Sequence, residues 1–150
     1  MGKYYEDFVI GEEVLSAGRT ITETDIVMFA GLTGDYNSLH TDAEFAKETP
    51  FKERIAHGLL GLAITSGLMT RTGLFDGTVI AFLGVDWAFK GPIFIGDTIH
   101  FSMTIKDKRE TSKPDRGIIM RDVALLNQRN EVVQQGTMTL MMKRRQVEEQ

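Results

Sequence analysis

Few residues of this 150-residue chain have the type and spacing for chemistry, and most fall between positions 35 and 66. His40 closes a polar stretch, Gly34-Asp35-Tyr36-Asn37-Ser38-Leu39-His40, and Asp35 stands five residues before it. A carboxylate and an imidazole on one turning loop can both address a single water molecule, as general acid–base catalysis requires. The ordinary pKa values of Asp and His differ by about two units or more, so one can hold a proton while the other accepts it. The same stretch also suits a loop without chemistry, with Asp35 and Asn37 as turn formers and His40 as a cap. Spacing alone leaves both readings open.

His57 and Gly58 stand immediately before a long apolar run. The first N–H groups of a helix have no intrahelical partner, and with the helix dipole they favour developing negative charge. A glycine there lets a carbonyl approach the backbone, so Gly58 could form an oxyanion hole. It could equally do no more than relieve packing. Ser66, eight residues further on, is expected to be buried and to need a partner. That partner could be Asp35, His40 or a backbone carbonyl one turn back. No G-x-S-x-G surrounds Ser66, which argues against a serine nucleophile. His100 falls on the polar face of an alternating segment and is expected to be a solvated surface residue. Asp35, His40, Asp42 and His57 are metal-ligand types, but their spacing fits no recognised metal motif, so no metal is expected. Neither a P-loop nor a G-x-G-x-x-G after a strand is present, which removes support for nucleotide hydrolysis and dinucleotide redox.

These residues need elements to hold them. Thr22 or Thr24 can cap a helix over Asp25–Gly31 with Ile26, Phe29 and Ala30 on one face, stopped by Gly31 and Gly34. Gly34–Asp42 reads as loop, Asp42–Lys47 as a short helix that Pro50 prevents from extending. From His57 to about Thr72 the chain is apolar nearly all round, the pattern of a buried helix. Gly58, Gly61 and Gly67 each cost that helix about 1 kcal/mol relative to Ala, which close approach of a sheet would offset. The second half changes to a period of two. Thr98–Lys106 alternates, with Ile99, Phe101, Met103 and Ile105 on one face. Val79–Phe89 is apolar on both faces and is expected to be a central strand. Ile118–Leu126 and Val132–Met142, joined by a hairpin at Asn127–Glu131, and a strand near Val14–Ile21 complete the set. The pattern is α+β, an antiparallel sheet around one long buried helix. A single sheet leaves an open side that a second copy would cover.

Composition bounds the rest. The chain is 42% hydrophobic and 25% charged, the balance of one soluble globular domain over residues 1–150. Its formal charge of −4 gives no global reason to bind nucleic acid. Without cysteine, it forms no disulfide, thiolate nucleophile or Cys-ligated metal site. MGKYYEDFVIGEE has neither the basic nor the apolar region of a signal peptide, and Glu6 breaks a myristoylation pattern. The apolar stretch near Gly58–Met69 is too short to span a bilayer. A cytoplasmic location is therefore expected, with no membrane partner. Residues 143–150 lose periodicity and are expected to be a frayed, charged tail.

In order along the chain, these pieces resemble the MaoC-like dehydratases, the (R)-specific enoyl-CoA hydratases with the hot-dog fold. The matching stretch, GLTGDYNSLHTDAEFAKETPFKERIAHGLLGLAITSGL (Gly31–Leu68), carries G-D-x-N-x-x-H-x-D, then A-H-G, then a Ser eight residues past that Gly. Val85-Asp86-Trp87-Ala88-Phe89-Lys90 and Pro92-Ile93-Phe94-Ile95-Gly96-Asp97 fit the family's strand pattern, extending the likeness from about Phe8 to Lys143. The resemblance implies that Asp35 and His40 activate water, that Gly58 N–H holds the thioester oxygen, and that Ser66 supports the catalytic Asp. It makes Asn37 a loop-holding residue and His57 a structural one. The family usually has Pro where this chain has Ser38, which puts the loop's rigidity in question.

The implied reaction is syn hydration of a trans-2-enoyl-CoA to an (R)-3-hydroxyacyl-CoA, or the reverse. It needs no cofactor or metal and is carried out by a homodimer or higher oligomer. Lys90, Lys106, Lys108, Lys113 and Arg116 are candidates for the CoA phosphates. A hot-dog thioesterase would rely on a carboxylate in or near the long helix, and Gly58–Thr72 contains none. A non-catalytic acyl-thioester binding subunit would have no need of Asp35, His40, Gly58 and Ser66 together.

Overall fold

A computed structural model describes residues 1–146. Six strands form one antiparallel array: β1 (Glu13–Leu15), β2 (Arg19–Thr20), β3 (Val79–Phe89), β4 (Thr98–Glu110), β5 (Arg116–Leu126) and β6 (Val132–Lys143). The order is β1-β4-β5-β6-β3, with β2 also pairing β4. Helix α4 (Gly58–Arg71) packs across the concave face, and α1 (Glu23–Thr33), α2 (Ser38–Thr41) and α3 (Ala43–Lys47) precede it. This is the α+β hot-dog arrangement.

The alternation in β4 holds: Ile99, Phe101, Met103 and Ile105 are fully buried, facing Leu60, Ile64 and Leu68 of α4 in one core. Helix α1 begins at Thr22, whose Oγ1 accepts from Asp25 N while the Asp25 carboxylate accepts from Thr22 N at 2.9 Å. It continues through Gly31, which does not stop it. The helix ends at Gly34, whose φ of 77° is readily available to glycine.

Four expectations change. The segment near Val14–Ile21 is two short strands, not one, each paired with β4. Gly34–Asp42 is not all loop, because Asn37 Oδ1 accepts from Leu39 N and starts α2. Val79–Phe89 is not a central strand but the edge strand β3, with Phe82 55% and Leu83 45% exposed. It is apolar on both faces because one face meets α4 and the other is left uncovered by this chain. Finally, the tail is tied down at its start. Lys143 ends β6, Arg144 pairs with Glu6 and Glu110, and Arg145 pairs with Asp7. Residues 147–150 of the expected tail lie outside the described residues.

Sheet and helix meet closely at two of the three helical glycines. A Cβ on Gly61 would collide with the Gln134 side chain, and one on Gly58 would lie 2.8 Å from the Phe89 ring. A Cβ on Gly67 would meet nothing within 4 Å among the described residues, so no close approach there offsets its helical cost.

Candidate active site

The segment that carries the site is strapped down from both ends. Ala56 N donates to Ile93 O at 2.8 Å, and Ile55 forms an isolated bridge with Phe94. That fixes the Ile55 carbonyl, which takes a 2.7 Å hydrogen bond from His40 Nδ1. A carbonyl can only accept, so Nδ1 carries the proton and Nε2 of neutral His40 keeps its lone pair. His40 is thereby poised as a base through Nε2.

Asp35 is set by the end of α1 and by its own turn. Its N–H donates to Thr33 Oγ1 at 3.1 Å, and its Oδ1 accepts from Asn37 N at 3.2 Å. Asn37 in turn caps α2, the single turn that presents His40. Ser38, in the place where Pro is usual, is the first residue of that turn, a position proline favours but does not monopolise. Thr41 Oγ1 donates to the Tyr36 and Asn37 carbonyls and holds the loop without it.

His57 is 2% exposed, and its Nε2 donates to the Asp35 carbonyl at 2.9 Å. Its ring lies against His40, centroids 3.9 Å apart, with Phe29 tilted over it at 4.9 Å. Polar atoms of Asp35, His40 and His57 all lie within 4.8 Å of one another. Asp42 is outside this cluster, its Oδ1 accepting from Glu44 N and Phe45 N to start α3. His100 is half-buried on β4 opposite Leu126 and is no part of the cluster.

Gly58 follows His57 as the first residue of α4. Neither its N–H nor that of Leu59 has an acceptor among the described residues, while its carbonyl accepts from Gln134 Nε2 at 3.0 Å. Gln134, 2% exposed, also accepts from Trp87 Nε1 at 2.9 Å, so one amide ties the start of α4 to β3 and β6. Both readings of Gly58 have support: a ring packs where its side chain would be, and its N–H is free.

Ser66 is not where the pattern put it. It is exposed, and its hydroxyl bonds to neither Asp35 nor His40. Eight residues of helix put it roughly 12 Å along the axis from Gly58. Small and apolar α4 positions read as buried all round, but Leu59, Ala63, Ser66 and Thr70 form a stripe that this chain leaves open. Of the candidate phosphate-binding cations, Lys106 pairs with Asp122, Lys108 with the Phe8 carbonyl and Arg116 with Asp115. Lys90 lies in a groove with Asp86 and Ser102 on the sheet face away from α4.

Sequence reasoning overlooked Gln134 and Arg121. Gln134 carries no signal in a single sequence. Arg121 does: it interrupts the inward phase Ile119, Val123, Leu125 of β5, all buried.

A family model described as the MaoC like domain matches residues 7–125. The (R)-specific enoyl-CoA hydratase of Rhodospirillum rubrum is 38% identical over 103 residues, 68% of this chain and 69% of that protein. A solved monoamine oxidase regulatory protein from Archaeoglobus fulgidus superposes with a TM-score of 0.90 at 37% identity, covering 97% of each chain. A Mycobacterium tuberculosis protein with a double hotdog fold superposes with a TM-score of 0.80 at 18% identity, over 96% of this chain and 45% of that one. This last likeness is one of fold alone.

Proposed function

The chain belongs to the MaoC-like domain family, and on that footing we propose that it adds water reversibly across the double bond of a trans-2-enoyl-CoA, giving the (R)-3-hydroxyacyl-CoA. It is a hydro-lyase. The observation that carries the finer reading is the lone pair at His40 Nε2, fixed by the Ile55 carbonyl and set beside the Asp35 carboxylate.

In this reading the thioester oxygen accepts from Gly58 N–H, which polarises the conjugated system and stabilises the enolate. Water held between Asp35 and His40 gives its hydroxyl to C3, and the pair returns the remaining proton to C2 on the same face. Every transfer uses side chains and backbone, so the chemistry calls for no cofactor. Asp35, His40 and His57 are also metal-ligand types, but His57 Nδ1 is sealed from solvent with no partner. Treatment with a chelator is expected to leave the rate unchanged.

The active form is a homodimer formed across β3. That edge leaves Ile80, Phe82, Leu83 and Val85 exposed, beside the open stripe of α4. Ser66 makes no hydrogen bond to Asp35 within its own chain, and in this reading the support it gives Asp35 comes from a second copy. No helix among the described residues is long and apolar enough to cross a membrane. We place the protein in the cytoplasm on its sequence.

Loss of the conjugated absorbance of crotonyl-CoA, followed alongside free thiol, tests the reading. Fading without thiol release, with (R)-3-hydroxybutyryl-CoA as product, is the expected result. Thiol release would mark a thioesterase, although α4 offers no carboxylate for one. Silence on crotonyl-CoA and longer enoyl-CoAs would mark a binding subunit.

A further inference from the structure

Between the open stripe of α4 and the inner face of β3 lies a cavity of about 570 Å³. Leu59, next to Gly58, is in its wall, as are Leu62, Phe82, Val85 and Leu140. An acyl chain whose thioester sits at Gly58 has this apolar space to enter. One residue does not belong there. Arg121 on β5 lines the same cavity and is 2% exposed.

Arg121 pairs with no carboxylate among the described residues. Its Nη1 touches Met69 Sδ at 3.0 Å, its Nε has no hydrogen-bond partner, and the guanidinium lies 5.2 Å from the Phe75 ring centre. Thioether and aromatic contacts compensate a buried cation only weakly. Burial pulls the Arg121 pKa down to about 10, which leaves the group charged at neutral pH. Desolvating an unpaired charge is strongly unfavourable. Arginine's planar fork is suited to a carboxylate, which it can bind through two parallel charge-assisted hydrogen bonds.

We infer that the acyl group this cavity receives ends in a carboxylate, which Arg121 binds at the far end of the apolar space. The substrate class is then the CoA monothioester of a trans-2-unsaturated dicarboxylic acid. The inference rests on the hydratase reading and narrows it: methyl-ended enoyl-CoAs fill the apolar wall but leave the guanidinium unpaired.

The experiment compares six- and eight-carbon trans-2-enoyl-CoAs with counterparts whose last carbon is a carboxylate, on the wild type, Arg121→Met and Arg121→Lys. The wild type should favour the carboxylate-ended substrates by tenfold or more in kcat/KM at one length or both. Arg121→Met should abolish or reverse that preference while retaining turnover of the methyl-ended substrates, and Arg121→Lys should keep part of it. Equal or better use of methyl-ended substrates by the wild type would overturn the proposal, as would a preference that survives Arg121→Met. If Arg121→Met does not fold, the wild-type ratio decides alone. If no enoyl-CoA is hydrated, the hydratase reading fails, and calorimetry with the saturated thioesters decides the site. Tighter binding of the carboxylate-ended compound, lost in Arg121→Met and kept in part in Arg121→Lys, would uphold it, and equal binding would end it.

Discussion

The His40 and His57 rings lie 3.9 Å apart at an interplanar angle of 30°, and each commits one nitrogen to a backbone carbonyl. His40 is thereby held by Ile55, and the Asp35 backbone is held by His57. Two imidazoles of one sequence segment thus divide the work. One keeps its second nitrogen uncommitted, and the other fixes the Asp35 backbone.

Replacing the acid–base groups tests that division directly. Asp35→Asn and His40→Gln should each lower kcat on an enoyl-CoA by about 10²- to 10⁴-fold, the usual contribution of a positioned acid or base. Far-ultraviolet circular dichroism and the affinity for a saturated acyl-CoA should stay close to wild type. Full activity in both variants would remove the assignment.

His57→Phe keeps a ring against His40 but takes away the donor to the Asp35 carbonyl. Losing one hydrogen bond should cost about 0.5–1.5 kcal/mol in urea unfolding. As a positioning residue, His57 should show its effect in kcat, with KM little changed. A variant with wild-type kcat and only a lower midpoint would make His57 purely structural.

Gly61→Ala opposes two effects of known sign. Alanine gains about 1 kcal/mol of helix propensity. Its Cβ, however, would collide with Gln134, whose buried amide is held by Trp87 and Gly58 and cannot swing away. Overpacking of this kind costs about 1–3 kcal/mol, so a lower melting temperature is expected. Because Gln134 also anchors Gly58, activity should fall with it.

Leu83→Lys places a charge on the exposed edge β3, 45% exposed at that residue in the single chain. A lysine on a pairing edge blocks strand addition. Analytical ultracentrifugation should show a dimer for the wild type and a monomer for the variant, with activity lost in the monomer. A variant that stays dimeric and active would move the interface elsewhere.

The hydrogen bond from Lys3 Nζ, with a smaller contribution from Val9 N, holds the Glu12 carboxyl below its ordinary 4.5 despite partial burial. A lowered folded pKa means the stabilisation is fully present above pH 4.5 and fades as pH falls through the folded value. For a pair this exposed it amounts to roughly 0.2–1 kcal/mol. Glu12→Gln should therefore be less stable than wild type at pH 6, and the gap should close toward pH 3. A gap that does not change with pH would mean the ion pair contributes nothing.

Much of the fold is legible along the chain because it rests on local periodicity. Thr98–Lys106 alternates, and the buried set Ile99, Phe101, Met103 and Ile105 follows from that alone. The Asp35–His40 loop and the start of α4 at Gly58 are equally local, since turn formers, caps and an apolar run suffice to place them. The sequence by itself therefore determined which elements form and which groups cluster on one loop. Only the tertiary structure decided what depends on contacts between distant segments. The Ile55 carbonyl selects the His40 tautomer across 15 residues, and Gln134 reaches Gly58 across 76. The expectations for Val79–Phe89 and Ser66 fail for a shared reason. An apolar pattern records that a residue is to be covered but not by what, and β3 and the stripe of α4 keep exposed apolar surface in this chain. Arg121 is the reverse case: its inward phase is visible in β5, but only the packed cavity shows a buried cation with no carboxylate partner among the described residues.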